Sequence, residues 1–487
     1  MSYRVCENSP LVVSPDVSGS RPGRGLSNHE RAKSYSSFDK LRMSGLGRRH
    51  FSHRLLRRDC PASRKVVIAF LVRLGYSQGS FGLAVYTLET FQVQALEGVR
   101  VVEVAQVWAA PGAGMYLADQ GADVIKVEPP WGDEARRLLT QPPIAGGESR
   151  AFLAINRNKR GIALDIAHPQ GQDVLYRLVD QSDVFIHNFR PGVAPKLGYD
   201  YQTLSRRNPR LVYVEVSAFG QHGPYARRRG YDLLFQSLSG ILSKRRTAEG
   251  TPIASGVWVA DASTPIAIAY GVTLALLARQ RTGRGQRVEA ALLHMALAMQ
   301  TVDMVRVERE NPQQFGTDFS AQALYSPYRC QDGRFIQLAV IGDQQFAAMC
   351  RALELEHLID DPEFGDSLKR AQRSQELHEL IAGIVATRSR DEWLETLERH
   401  DVAAAPVLER NEVFDHPQVQ ANGMFATQEH PQAGRVDMVD VPVRLSDTPG
   451  GLRRPAPLLG QHTQEVLEEL GYSQEELQRL RAMKVIS

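Results

Sequence analysis

The order of strand, turn and helix that repeats through the middle of this chain restricts its possible folds most strongly. Residues 99–104 and 123–127 have the apolar character of buried strands, and a helix pattern over 115–120 separates them. Further strands are predicted at 184–186, after an amphipathic helix, and at 211–216. Strands that alternate with helices build parallel sheets. The sequence therefore predicts a Rossmann-like open α/β domain.

A long apolar helix is predicted from residue 261 to residue 280, and residues 266–278 are almost wholly apolar. A helix that is apolar all round is expected to be buried on most sides. A short strand at 287–290 and a helix at 292–304 follow it. We assign these elements to the same large domain.

The pattern changes near residue 320, which indicates a second, smaller domain. A hairpin is predicted over 328–340, and helices follow at 343–353, 366–387 and 390–400. Residues 401–410 run back toward the first domain, and a charged amphipathic helix is predicted at 463–480. We predict five segments: a leader at 1–94, the first part of the large domain at 95–300, a linker at 301–318, a small α+β domain at 319–412, and a return to the large domain at 413–487.

The first 94 residues differ from the rest of the chain in charge. They contain 15 Lys and Arg against 6 Asp and Glu, whereas the remainder has 43 basic and 49 acidic residues. This basic leader lacks sustained periodicity, so a disordered tail or a wrongly assigned start is one interpretation. The arginines at positions 48, 49, 54, 57 and 58 favour the other interpretation, a targeting or nucleic-acid-binding arm.

Composition excludes several classes of protein for the whole chain. The formal net charge is only +3, which gives no case for nucleic-acid binding. The four cysteines, Cys6, Cys60, Cys330 and Cys350, form no Cys-x-x-Cys pair, so neither a disulfide framework nor a zinc or other metal site is predicted. This usage fits a reducing, cytoplasmic setting. The most apolar run, at 66–72, is too short to cross a membrane, so no membrane span is predicted.

Four basic clusters indicate a polyanionic ligand. Three cations fall within residues 156–160, where they suit a polyphosphate or, equally, a solvated loop. Arg190, Lys196 and the arginines at 227–229 follow predicted strands, and ligands of open α/β sheets bind at the carboxyl ends of strands. The first β–α turn, at 109–114, offers helix N–H groups to a phosphate, but it lacks the G-x-G-x-x-G pattern and is equally a structural turn.

One carboxylate is placed for chemistry. Asp261 follows the apolar stretch 256–260 and precedes the long apolar helix. A carboxylate at that position is either the N-cap of the helix or a functional group, and the sequence leaves both open.

Six stretches of the chain together resemble the family III CoA-transferases, which include formyl-CoA, carnitine and bile-acid transferases. The likeness extends from about residue 96 to residue 470. The matching motifs, in order, are LEGVRVVEV at 96–104, GADVIKVE at 121–128, NRNKRGIALD at 156–165, NFRPG at 188–192, GYDLLFQ at 230–236 and RTGRGQRVE at 281–289.

The resemblance implies roles for individual residues and a form of assembly. Asp261 is implied to be the carboxylate that is acylated during turnover, and Tyr231 to lie beside the thioester end of coenzyme A. The positions implied to contact coenzyme A are Leu164, Asn188, Lys196 and Arg229. Acyl-CoA and a carboxylic acid are the implied substrates, with no permanently bound cofactor. The implied assembly is an interlocked dimer of two ring-like protomers.

Two other functions stay open on the same fold. An α-methylacyl-CoA racemase needs a histidine where this chain has Tyr231, and tyrosine is a poor base at neutral pH. A non-catalytic acyl-CoA-binding protein would keep the basic clusters without needing Asp261. Formyl-CoA transferase has a glutamine where this chain has Trp108, which predicts an acyl group bulkier than formate or oxalate.

Overall fold

A computed structural model describes residues 93–138, 142–308 and 322–487, together with the backbone of three earlier strands. The chain divides into two compact units, residues 1–93 and 94–487. In the first unit, β1 (Leu56–Arg58), β2 (Lys65–Arg73) and β3 (Phe81–Glu89) form an antiparallel sheet that the sequence did not predict. Most of the predicted leader lies outside the described residues, so its nature stays a prediction.

The second unit is built on a parallel sheet, as predicted, and this sheet has six strands, of which the strand at Arg160–Ala163 was not predicted. Its strands are β4 (Arg100–Val104), β5 (Asp123–Glu128), β6 (Arg160–Ala163), β7 (Val184–His187), β8 (Val212–Ser217) and β9 (Arg287–Ala291). Their order is β6-β5-β4-β7-β8-β9, so the chain fills one half of the sheet before it fills the other. The order reverses between β4 and β7, and a crevice is expected there at the carboxyl ends of the strands.

Helices cover both faces of this sheet. The helices up to residue 300 are α1 (Ala109–Asp119), α2 (Arg150–Ile155), α3 (Pro169–Asp180), α4 (Val193–Leu197), α5 (Tyr201–Arg207), α6 (Asp232–Leu238), α7 (Val259–Thr282) and α8 (Leu292–Ala298). Side chains alternate along a strand. Val102 and Val104 of β4 therefore face α3 and α5, whereas Val101 and Ala105 face α1 and α7.

The turn predicted at 109–114 is wrong, because these residues form the first turns of α1. Proline is tolerated near the start of a helix, where the missing N–H group is not needed. The glycines allow close packing instead. A Cβ on Gly112 would lie 2.8 Å from Cγ of Pro265 in α7, and a Cβ on Gly114 would collide with the Glu103 carboxylate.

Helix α7 was predicted to be buried on most sides, and this is wrong for a single chain. Ile268, Val272 and Ala275 pack in the core, but Ile266 and Tyr270 are 57% and 66% exposed. The helix contacts α1, α6, α8, β8 and β9, and these elements leave Ile266 and Tyr270 uncovered. Of the described helices, α7 is also the one that is long and apolar enough to cross a membrane. The prediction of no membrane span had considered the run at 66–72 and not this helix.

The predicted hairpin near residue 330 begins a small antiparallel sheet with its own core. Its strands are β10 (Pro327–Arg329), β11 (Phe335–Leu338) and β12 (Ala404–Pro406), and its helices are α9 (Gly342–Ala352), α10 (Ser367–Gln372), α11 (Ser374–Val385) and α12 (Arg390–Arg399). The helix predicted at 366–387 is thus two helices, which meet at Arg373. Cys330 and Cys350 are free and buried, as expected of small apolar side chains.

The end of the chain packs on the large sheet. It contains α13 (Glu412–Asp415), α14 (Pro417–Ala421), a hairpin of β13 (Phe425–His430) and β14 (Gly434–Val439), α15 (Thr463–Glu469) and α16 (Gln474–Ala482). The single helix predicted at 463–480 is therefore two. Gly471, with a φ of 85°, follows the first helix, and a capping box of Ser473 and Glu476 begins the second.

Candidate active site

A cavity of about 530 Å³ opens where the sheet order reverses. The segments that follow β4, β5, β6, β7 and β8 line it, together with the first turn of α7. It brings together six of the seven predicted site residues: Trp108, Leu164, Asn188, Arg229, Tyr231 and Asp261. Lys196 lies in α4 with an exposed side chain and does not line the cavity. The roles of these residues stay predictions.

Asp261 is not the N-cap of the long helix, so that interpretation is wrong. Trp258 occupies the cap position and makes no capping hydrogen bond through its side chain. Asp261 is the third residue of α7, and its own backbone N–H donates to Oδ1 of Asp232, 3.0 Å away. Among the described residues, the Asp261 carboxylate itself has no hydrogen bond or ion pair. It is a half-buried, unpartnered carboxylate at the cavity wall.

The surroundings of Asp261 favour its neutral form. Burial raises the pKa of this carboxyl from 3.8 to about 7, and the negative charge of Asp232 acts in the same direction. A basic carboxylate that is not engaged in hydrogen bonds is available to act as a nucleophile once it is ionised. A strongly perturbed group in a cleft is also what functional sites display.

The raised pKa predicts that Asp261 destabilises the folded protein at neutral and alkaline pH. Below pH 4 the carboxyl is protonated in both states, whereas above pH 7 the folded state carries the full cost of the charge. That cost is about 1.4 kcal/mol per pH unit between the two pKa values, reduced because solvent still reaches the group. We expect Asp261→Asn to raise the free energy of unfolding by about 2 kcal/mol at pH 8 and not at pH 4.

Urea denaturation at the two pH values measures this difference. Asp173→Asn is the matched control, because Asp173 is an exposed helical residue outside the cavity lining. An equal effect of both substitutions at pH 8 would contradict the prediction.

The loop between β4 and α1 is held in a strained conformation at the cavity wall. Val107 has a φ of 71°, which is costly for a β-branched residue. Its N–H donates to Oδ1 of Asp133 at 2.9 Å. Asn188 accepts from the N–H of Gln106 and donates to its carbonyl, at 3.2 and 2.8 Å. Asn188 therefore fixes the loop that carries Trp108, a role the sequence did not reveal.

Asp133 was missed by the sequence analysis. It is buried, it also accepts from the N–H of Ala135, and it forms an ion pair with Lys126 at 2.8 Å. The signal available was an acidic residue placed after β5, in the sequence Pro-Trp-Gly-Asp. Neither the partner lysine nor the strained loop is visible in that pattern.

The cations at 156–160 bind neither a polyphosphate nor solvent. Arg157 pairs with Asp119, Lys159 with Glu103, and Arg160 with Asp123, and all three cations are buried. These cations lie just before β6 or at its first residue, Arg160. They are therefore at the opposite end of the strands from the cavity.

The cations that follow β7 and β8 remain available. Arg190, Arg228 and Arg229 line the cavity, and in the described part of the chain none of them forms an ion pair. The guanidinium of Arg228 stacks on the ring of Tyr225, 3.8 Å from its centre. Guanidinium groups without an acidic partner suit phosphate oxygens.

His187, at the end of β7, is structural. Its Nδ1 accepts from the N–H of Phe189, so Nε2 carries the proton and donates to the Tyr213 hydroxyl at 2.6 Å. That hydroxyl in turn donates to the carbonyl of Tyr199. Burial lowers the pKa of His187 to about 3, so the ring is neutral. Among the described residues no group of three His, Cys, Asp or Glu is placed to hold a metal.

Fold and site together define an α/β enzyme whose crevice sets a free carboxylate beside unpaired arginines. Residues 96–463 match the family model described as CoA-transferase family III. The chain belongs to this family, which confirms the resemblance, and it is a CoA-transferase.

Curated relatives and a solved structure agree with this assignment. The succinate–glutarate CoA-transferase of Agrobacterium fabrum is 36% identical over 77% of this chain and 95% of its own length. The formyl-CoA:oxalate CoA-transferase of Streptomyces coelicolor is 32% identical, over 81% of this chain and 99% of its own. A CAIB/BAIF family protein from Brucella suis has a TM-score of 0.69 at 32% identity, covering 78% of this chain and 100% of that one.

Proposed function

We propose that this protein moves coenzyme A from an acyl-CoA donor to a carboxylic acid, with Asp261 as the group that is acylated in each cycle. The observation that carries the proposal is the Asp261 carboxylate, which lines the cavity without a hydrogen bond or ion pair among the described residues. A carboxylate used only for structure would be expected to have partners.

The first step forms a mixed anhydride. An oxygen of the ionised Asp261 attacks the carbonyl carbon of the donor thioester. The new C–O bond forms as the C–S bond breaks, and the electron pair leaves with the sulfur as CoA thiolate. We propose that the hydroxyl of Tyr231, an exposed residue that precedes α6 and lines the cavity, donates to the developing oxyanion.

The second step passes coenzyme A to the enzyme. The thiolate attacks the aspartyl carbonyl of the anhydride, which forms an aspartyl thioester and releases the donor acid. An acceptor carboxylate then attacks that thioester, and the thiolate attacks the acceptor side of the new anhydride to regenerate Asp261. Each step exchanges one acyl bond for another of similar energy, so the proposed steps require no metal ion or redox group. Water must be kept out, because each intermediate is hydrolysable.

The names of the relatives suggest the class of acid. Those of the Agrobacterium and Streptomyces enzymes include succinate with glutarate, and oxalate. We propose that the acceptor here is also a dicarboxylic acid. The indole of Trp108 lines the cavity and favours an acyl group larger than formyl.

Trapping during turnover tests the acylation of Asp261. The protein is incubated with succinyl-CoA and then with hydroxylamine, and peptides are analysed by mass spectrometry. We expect a hydroxamate on Asp261 and loss of activity, neither of which occurs without acyl-CoA. Exchange of CoA without any adduct on Asp261 would overturn this mechanism. Solvent deuterium entering the α-carbon of a 2-methylacyl-CoA would instead indicate a racemase.

Arg229 is expected to bind the phosphates of coenzyme A. We expect Arg229→Ala to raise KM for acyl-CoA by about 10- to 100-fold, because a charge-assisted hydrogen bond contributes about 1.5–3 kcal/mol. The kcat should change by less than about threefold, since the phosphates are remote from the reacting atoms. Arg227→Ala is the matched control, because Arg227 is the neighbouring arginine outside the cavity lining. Equal KM values for the two variants would contradict this role.

We also propose the interlocked homodimer that the resemblance implies. Several apolar residues of α6 and α7 are 45% or more exposed in a single chain: Leu234, Leu238, Ile266, Tyr270 and Leu274. An apolar surface of this extent indicates a protein–protein contact. Sedimentation velocity of the purified protein tests the proposal, and a monomer at micromolar concentration would refute it.

A further inference from the structure

We infer that Asp232 is the positioning residue of this site: it binds the first free N–H groups of α7 and so leaves the Asp261 carboxylate without a partner and aimed at the substrate. This inference rests on the proposed role of Asp261.

The contacts of Asp232 are unusual because the cap comes from another helix. Asp232 is the first residue of α6 and is 2% exposed. Its Oδ1 accepts from the N–H groups of Ala260 and Asp261, at 2.7 and 3.0 Å. These are the second and third residues of α7, whose N–H groups a cap residue normally satisfies.

Gln236 lies one turn further along α6 and holds the same segment, and we call Asp232 and Gln236 together the clamp. Its side chain is fully buried and donates to Oδ2 of Asp232 at 2.6 Å and to the carbonyl of Val257 at 3.1 Å. Its amide oxygen accepts from the N–H and the hydroxyl of Ser255. Asp232 and Gln236 therefore hold the whole segment that leads into α7. They are the Asp and the Gln of the GYDLLFQ motif.

The clamp changes what the helix N-terminus does to Asp261. An acidic residue in the first turn of a helix ordinarily accepts from the free N–H groups, and the helix dipole stabilises its charge. Here Asp232 has taken those N–H groups. It also places a second negative charge close to Asp261, which opposes ionisation. Asp261 is therefore kept as a basic, unbonded carboxylate, which is the form that attacks a thioester best.

Other charged groups around α7 do not produce this effect. The elements packed on α7 carry the following titratable groups: Tyr116 and Asp119 on α1, Asp232 on α6, Tyr213 and Glu215 on β8, Arg287 and Glu289 on β9, and His294 on α8. Arg229 and Tyr231 share the cavity with Asp261. Among these groups it is Asp232 whose charge raises the pKa of Asp261.

The test removes the charge of Asp232 and keeps an acceptor for the helix. Asn and Ser cap helices about as well as Asp, so both Asp232→Asn and Asp232→Ser are suitable variants. If one of them does not fold, the other can still be measured. In the wild type, kcat/KM should rise with pH with a midpoint near 7, since Asp261 must be ionised to attack. In both variants we expect this midpoint to fall by about one pH unit and kcat to fall about tenfold, because the nucleophile is less basic.

A matched control and a second measurement separate this role from a merely structural one. Asp200→Asn alters a capping carboxylate of α5 outside the cavity lining, so it should leave the midpoint unchanged. The rise in Tm at pH 8 caused by Asp261→Asn should be about one third smaller in the Asp232→Asn background, because the burial of Asp261, the larger cause of its raised pKa, remains. An unchanged midpoint and an unchanged rise in Tm would overturn the inference. Absence of an acyl adduct in the wild type would instead refute the proposed function, and the Tm comparison would still test Asp232.

Discussion

Asp261→Asn is expected to lower the rate of CoA transfer by about 10⁴-fold or more, because removal of a covalent nucleophile leaves only binding and orientation. Asparagine has nearly the same shape as aspartate, so the cavity and the clamp by Asp232 should persist. The measurement is kcat at saturating succinyl-CoA and acceptor acid, with CoA thioesters followed by mass spectrometry. Binding of acyl-CoA should change little, since the arginines at the cavity are untouched.

Asp173→Asn serves again as the control and should retain wild-type activity, because Asp173 lies on the exposed side of α3. Two outcomes would contradict the mechanism. Activity within about tenfold of the wild type in the Asp261 variant would show that another group is acylated. Loss of acyl-CoA binding would show that Asp261 acts on affinity rather than on the chemical step.

The largest expected loss of stability follows from Glu103→Gln. The Glu103 carboxylate is wholly buried under the sheet, where it pairs with Lys126 at 3.2 Å and Lys159 at 2.8 Å. Without it, two buried ammonium groups lose a shared counter-charge. Breaking a buried ion pair from one side costs about 3–5 kcal/mol. We expect a decrease of that size in the free energy of unfolding.

Urea denaturation at pH 7 measures the change, and Asp180→Asn provides the comparison. Asp180 pairs with Arg207 at the surface, where both side chains are 37% exposed. Such a pair contributes less than about 1 kcal/mol. Similar decreases in the free energy of unfolding for the two variants would show that the buried ion pairs of Glu103 contribute no more to stability than a surface pair. Lys126 also binds Asp133, which holds the Val107 loop, so the Glu103 variant should raise KM as well.

The large sheet could be predicted because its signal is local. Each strand is a short apolar run between helix patterns, and the observed strands β4, β5, β7, β8 and β9 begin and end within one residue of those predicted. The buried face of α3 and the hairpin near residue 330 follow from the same kind of pattern. Asp261 could be singled out because an acid between an apolar stretch and an apolar helix conflicts with local burial.

Errors arose where a local pattern has more than one meaning. Pro111, Gly112 and Gly114 are typical of a turn, yet they allow α1 to approach α7 and the sheet closely. The cations at 156–160 have the composition of a phosphate site, but they lie at the start of their strand and pair with acids there. The apolar composition of α7 indicates burial, whereas Ile266, Tyr270 and Leu274 are exposed within one chain.

The sequence by itself determined the order of the elements, the parallel sheet and the acid at the start of α7, because these depend on the periodicity of neighbouring residues. Only the tertiary structure decided which residue caps that helix, which cations remain free and what raises the pKa of Asp261. The N–H groups of Ala260 and Asp261 bind a residue about thirty positions earlier, and Asp133 fixes a loop before it in the chain. Contacts of that kind depend on distances in space, which the spacing of residues along a chain does not contain.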